Sequence, residues 1–243
     1  GTAANLAAGM GPALNAMNAA VNLIASNNAT VAEARTIDAF TNSGANTYGI
    51  SDAIATFIDA TPSNQVEINA AVEAASGTVT ATGNATVAQA EVVSALTKAV
   101  VYSVSDTSAN IEGASAAALN EAVDVASTGV STVAQANAVM AATNSGTTTV
   151  ATVTDTAANV LNLTTGSNDV VTNVNVSDVV NATTANAIVA LDTGANITNT
   201  VVFPYISDTS ANIATVAIAT LGAATYVSVT NSMSIAEYTT LAD

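Results

Sequence analysis

Cysteine, histidine and tryptophan are absent from this chain of 243 residues. Without thiols no disulfide or thiolate metal site can form, so oxidising and reducing compartments are equally open to it. Nucleophile-and-base catalysis lacks its usual partners as well, because imidazole and thiol are missing and Lys98 is the single lysine. Cations are nearly absent: Arg35 and Lys98 face 18 acidic residues, for a formal net charge of -16. Phosphate binding needs Lys and Arg to displace counterions, so nucleic acid is excluded as a partner, and anionic membrane surfaces repel the chain. Aromatic residues make up only 3% and charged residues 8%, where an ordinary globular protein spends about 25% on charge. No apolar run is long enough to span a membrane as a helix. No basic segment precedes an apolar core at the start, which argues against a classical signal peptide, and the opening Gly1 reads as a processed or excerpted chain. Neither a phosphate-binding glycine loop, an EF-hand nor a Gly-Gly-x-Gly-x-Asp nonapeptide occurs.

What the chain does have is small apolar residues, chiefly Ala and Val, within a hydrophobic half, and a polar complement of Thr, Ser and Asn. Small side chains suit thin, closely spaced layers. Two motifs recur and alternate. One reads Ser105-Asp106-Thr107-Ser108-Ala109-Asn110-Ile111 and returns from Thr154 to Val160 and from Ser207 to Ile213, with a worn copy at Ser51 to Ile54. The other reads Thr86-Val87-Ala88-Gln89-Ala90, with relatives at Thr30 to Ala34, Thr132 to Ala136, Thr183 to Ala187 and Ser234 to Tyr238. Thr86-x-x-Gln89, Thr132-x-x-Gln135, Thr30-x-x-Glu33 and Ser234-x-x-Glu237 are capping boxes: the first side chain accepts from a helix amide and the fourth reaches back. Asp106, Asp155 and Asp208 follow alternating apolar runs, so each is expected at the N-cap, ending a strand and beginning a helix.

Strands are predicted at Val100 to Val104, Val123 to Ala126, Thr149 to Val153, Val171 to Val176, Val201 to Ile206 and Tyr226 to Val229. One strand plus one helix occupies about 25 residues, a known solenoid period. Strands joined through helices should lie parallel with the helices on one flank. The expected fold is therefore α/β: an LRR-like solenoid of parallel strand-plus-helix coils over residues 77–243. Residues 1–76 are expected to be a mostly helical cap or assembly region, with an apolar stripe from Ala4 to Ile24 and a helix at Gln65 to Ala75.

Over residues 86–243 the alternation of Ser-Asp-Thr-x-Ala-Asn-Ile with Thr-Val-Ala-Gln-Ala resembles repeats of large secreted bacterial surface proteins, surface-layer and adhesin-like, exported by type I systems. The resemblance implies an extracellular or cell-surface location and a structural or adhesive role. Asp106, Asp155, Asp178 and Asp208 are candidate calcium ligands, since a row of hard oxygen donors along one edge suits that ion. Helix capping is the simpler role for them, and no other cofactor and no catalytic residue is expected. A non-enzymatic protein that assembles with copies of itself into a layer, sheath or filament follows, with a glycan-binding adhesion module as the alternative.

Overall fold

A computed structural model describes residues 1–9, 12–192 and 197–234. It is α/β, with parallel strand pairing in both halves of the chain. The chain groups into two compact units, Gly1–Ser105 with Ala114–Asp124, and Asp106–Gly113 with the residues from Val125 onward. Gly77, the expected boundary, lies inside the first of them.

The first unit opens with helices α1 (Ala3–Ala7) and α2 (Pro12–Ala19), strand β1 (Leu23–Ile24) and helix α3 (Val31–Asp38). The apolar stripe expected from Ala4 to Ile24 is thus divided among two helices and a strand. Its member Met10, and Gly11 beside it, lie outside the described residues. Strands β2 (Asn46–Thr47) and β3 (Ile50–Ala53) follow, then a 3-10 turn at Ile54–Phe57 and helix α4 (Pro62–Ala74). Strand β4 (Val79–Ala85), helix α5 (Val87–Ser94), strand β5 (Val100–Thr107) and helix α7 (Ala116–Asn120) complete it, helix α6 (Ser108–Glu112) falling in the second unit. β3, β4 and β5 pair side by side in sequence order, and β1 pairs with β2. Two tyrosines tie strand to helix here. The buried hydroxyls of Tyr48 and Tyr102 donate to the carbonyls of Ala71 in α4 (2.9 Å) and Ala118 in α7 (3.0 Å). A large ring can be buried beside small neighbours because its polar tip is satisfied. Burial pushes both phenols up, Tyr102 to about 12.

The second unit runs β6 (Val125–Ser131), α8 (Val133–Met140), β7 (Thr148–Asp155), α9 (Ala157–Val160), β8 (Asp169–Val176), β9 (Val179–Val180), α10 (Ala182–Asp192), β10 (Ile197–Asp208), α11 (Ser210–Ile213), α12 (Ile218–Gly222) and β11 (Ala224–Val229). Strand order is β6-β7-β8-β10-β11 with β9 beside β10, so this sheet is open. Inward positions carry mostly β-branched residues: Val150 and Val153, Val171 and Val174, then Val201 and Ile206 are buried, with the aromatic Phe203 between the last two. Spacings of two and three between them mark a bend in each strand, after which the opposite parity points inward. Facing helices contribute Val133, Ala136, Val139, Val160, Ala185 and Ile188. Several helices are a single turn, so packing and caps rather than helix propensity hold them.

Candidate functional site

The repeated motifs meet at the helix starts, and the cap is one residue later than the sequence suggests. Thr107, Thr156 and Thr209, not the preceding aspartates, are the N-caps of α6, α9 and α11. Each has an extended backbone, and its hydroxyl accepts from the amide of Asn110, Asn159 or Asn212. Thr30, Thr86 and Thr132 cap α3, α5 and α8 in complete capping boxes with Glu33, Gln89 and Gln135, as expected. The box at Ser234-x-x-Glu237 falls outside the described residues.

The aspartates stand one place before the cap, and Asp52, Asp155 and Asp208 each also accept from the start of a helix in the preceding repeat. Asp155 Oδ1 accepts from the amide of Thr156 (2.8 Å) and the side chain of Asn159 (2.7 Å), both of its own repeat. Its Oδ2 accepts from the amide of Val133 (3.0 Å), the first residue of α8 in the preceding repeat. Asp208 repeats the arrangement with Thr209 (2.8 Å), Asn212 (2.8 Å) and the amide of Ala182 at the start of α10 (3.1 Å). In the first unit Asp52 accepts from Ala53 (2.8 Å) and from Val31 at the start of α3 (3.0 Å). Asp106 accepts from Thr107 and Asn110, both at 2.7 Å. Orphan amides of one helix are therefore satisfied from the next repeat, which welds neighbours together while completing their caps.

A second version puts the reaching residue three places before the cap. Asp178 accepts from Ala157 at the start of α9 (2.7 Å), three residues ahead of Asn181, whose side chain caps α10 through the amide of Thr184 (2.8 Å). Asn27 holds the same place before Thr30 and accepts from Ala3 (2.9 Å), and Asn231 accepts from Ser210 (2.7 Å). Gly83 and Gly129 occupy that place before Thr86 and Thr132, with left-handed φ of 80° and 76°. There β4 and β6 bulge outward against their neighbours. Asn27, Asp52 and Asn231 were missed as members of the set, and the shared spacing to the cap is the signal that identifies them.

These bonds also fix the charge state. Donation from Asn159, then from the Val133 and Thr156 amides, holds the Asp155 carboxyl below the usual carboxylate range. Asn212, Thr209 and Ala182 do the same for Asp208. Of the proposed calcium ligands, Asp155 and Asp208 have both oxygens engaged by amide donors. No group of three or more acidic side chains able to hold a metal ion converges among the described residues.

A helix-side ladder runs the other way. Glu73 accepts from Thr97 (2.5 Å), Glu91 from the amide and hydroxyl of Ser115 (2.6 and 2.8 Å), and Asn137 from Thr164 (3.0 Å). Each reaches forward into a loop of the next repeat.

A depression of about 330 Å³ in the first unit is lined by Arg35, Asp38, Ala39, Glu67 and Ala70. Arg35 pairs with Glu67 across it, and burial raises the Asp38 carboxyl. No hydroxyl, thiol or imidazole lines it, so it offers an ion pair rather than a nucleophile.

The geometry thus defines an α/β protein of serial parallel strands joined mostly through short helices, several of which are capped partly from the next repeat. No protein-family model, no curated protein and no solved structure matches the chain.

Proposed function

We propose that the chain is a non-enzymatic, extracellular structural protein, an LRR-like solenoid whose copies assemble into a surface layer, sheath or filament. The observation that carries this reading is the reaching Asx residue: Asp52, Asp155, Asp178 and Asp208 each complete a helix of the preceding repeat. Their polar chemistry is spent on joining one repeat to another, which makes the chain a ladder of nearest-neighbour contacts. No perturbed acid-base pair sits in an enclosed cleft among the described residues, and the lowered carboxyls, Asp59, Asp155 and Asp208, lie at helix starts. The outer edge of β11 has no partner strand among the described residues, and an exposed strand edge is a template for further pairing.

Electron microscopy and light scattering of the purified chain, with sodium chloride and calcium chloride titrated separately, test the proposal. Regular polymers or sheets are expected once the net charge is screened. A monodisperse monomer at high protein concentration across both titrations would rule it out. The adhesion alternative has one observation in its favour, the exposed Tyr226 beside the half-buried Tyr205.

A further inference from the structure

We infer that the outward face of β10 and β11 is a binding platform for a neutral saccharide chain, built on Tyr205 and Tyr226. The strand register makes this platform. Tyr205 pairs with Tyr226 on one side and with Val179 on the other, and two residues on Ser207 pairs with Ser228. In parallel strands, residues in register share a face, and so do residues two apart. Tyr205, Tyr226, Ser207 and Ser228 therefore form a two-by-two patch, with Val179 extending the upper row. Burial shows which way it points. Ile206 and its register partner Val180 are buried, whereas Val179 is 61% exposed and Tyr205 half-buried; on the edge strand β11 both faces are open, Tyr226 at 64% and Val227 at 44%.

The outward turn of Tyr205 comes from the bend in β10. Phe203 and Ile206 both point inward with Pro204 and Tyr205 between them, so the parity changes at this point. Proline cannot donate to a sheet ladder and sits where pairing changes. Here β10 leaves β8, last paired through Val202 and Asn175, and takes up β9 at Tyr205.

The ring centroids are 5.9 Å apart with planes inclined by 39°. That spacing is close to the length of one pyranose unit. The inclination makes a twisted pair, which suits a single soluble chain better than a flat crystalline surface. Aromatic rings offer an apolar face to the C–H groups of a sugar, and the phenol and serine hydroxyls around them can exchange hydrogen bonds with its hydroxyls. Charge selects the class of sugar. Asp178 adjoins Val179, Asp208 adjoins Ser207, and the chain carries a formal -16, so uronic or sulfated glycans are repelled. A chain with so few aromatics places two of its five tyrosines side by side, Tyr205 half-buried and Tyr226 exposed. The inference stands beside the scaffold proposal and does not rest on it.

Affinity electrophoresis of the full chain through gels holding a soluble β-glucan, a galactomannan or a polyuronate tests it. Titration with cello- and N-acetylated chito-oligosaccharides, followed by tyrosine fluorescence, supplies affinities; no tryptophan masks that signal. Retardation by at least one neutral glycan and none by the polyuronate is expected. Tyr226→Ala should weaken binding about tenfold or more, the loss of one stacked ring, with an unchanged melting curve. Tyr226→Phe should keep most of the affinity, and Val130→Ala, at an exposed apolar site elsewhere, all of it. No retardation by any neutral probe, or undiminished binding by Tyr226→Ala, overturns the inference. So does a result in which Tyr226→Ala alters only the oligomeric state, because the patch would then be a contact between copies.

Discussion

Asp155 receives three hydrogen bonds for two helices, and that division of labour sets what its loss should do. The Val133 amide would be orphaned at the start of α8, while the Thr156 amide and Asn159 side chain would lose their acceptor at the start of α9. A weakened cap costs about 1 kcal/mol per helix, so with two helices affected Asp155→Ala should cost about 2 kcal/mol, read as a lower urea midpoint. Asp155→Asn keeps an acceptor for one amide but turns a donor toward another, and should fall between. The same carboxyl gives a pH signature. Its folded pKa is depressed, so its contribution is complete above the unfolded value near 4 and is lost as pH falls through the folded pKa. Asp208 adds to this in the same direction. Acid also neutralises repelling carboxylates, which works the other way, so the diagnostic is a difference. Between pH 7 and pH 2.5 the stability gap between wild type and an Asp155→Asn, Asp208→Asn double variant should shrink. A gap that is constant with pH would mean that these carboxylates are not tied to folding. Sequence spacing identified Asp155 as cap chemistry but could not show which helix it serves, because the partner amide lies 22 residues back.

Strand β6 shows how a glycine can act at the scale of an element. Gly129 has a left-handed φ of 76°, and a Cβ added there would meet nothing within 4 Å. Gly129→Ala should therefore cost only the backbone penalty, about 1–2 kcal/mol. Gly129→Asn should cost less, since Asn tolerates that region better. Gly49 is the opposite case. A Cβ there would lie 2.6 Å from Asn28 Oδ1 and 2.9 Å from the Thr78 carbonyl oxygen, where successive repeats approach closely. Gly49→Ala must push backbone apart, and the expected loss, about 1–3 kcal/mol, should not be relieved by Asn. Urea titrations of the wild type and of the Ala and Asn variants at both positions, five proteins, check both orderings. The strands and their sequence order were largely legible, since β5, β7, β8, β10 and β11 each contain the segment expected from alternating Val, Thr and aromatic residues. β4 was harder to see. Its Val79-Thr80-Ala81 alternation ends in the Gly83 bulge, which breaks the period of two. The stripe from Ala4 to Ile24 failed for a different reason. A spacing of three and four describes one helix, but it is satisfied equally well by two short helices and the strand that follows them. Nor could the tyrosine pair be foreseen, because Tyr205 and Tyr226 become neighbours only through the register of β10 and β11.

At the scale of the whole molecule, charge is the feature that any assembly must overcome. The formal charge of -16 includes two cations, and Arg35 is already paired with Glu67 in a half-exposed contact of small energetic weight. Stability at neutral pH should therefore rise with salt, as screening relieves carboxylate repulsion faster than it weakens that one pair. The urea midpoint in about 0.5 M sodium chloride should exceed that in about 0.01 M, over which the screening length falls from about 30 Å to a few ångströms. Calcium separates general screening from a specific site. At matched ionic strength the row of Asp106, Asp155, Asp178 and Asp208 predicts no further gain from calcium chloride, because the oxygens of Asp155 and Asp208 already accept amide protons. A calcium-specific rise in midpoint that Asp155→Asn and Asp208→Asn together abolish would show instead that the row binds the ion. Polymers that form equally well in either salt would then place the driving force in shape and edge pairing, with the carboxylates acting only as a barrier to be screened.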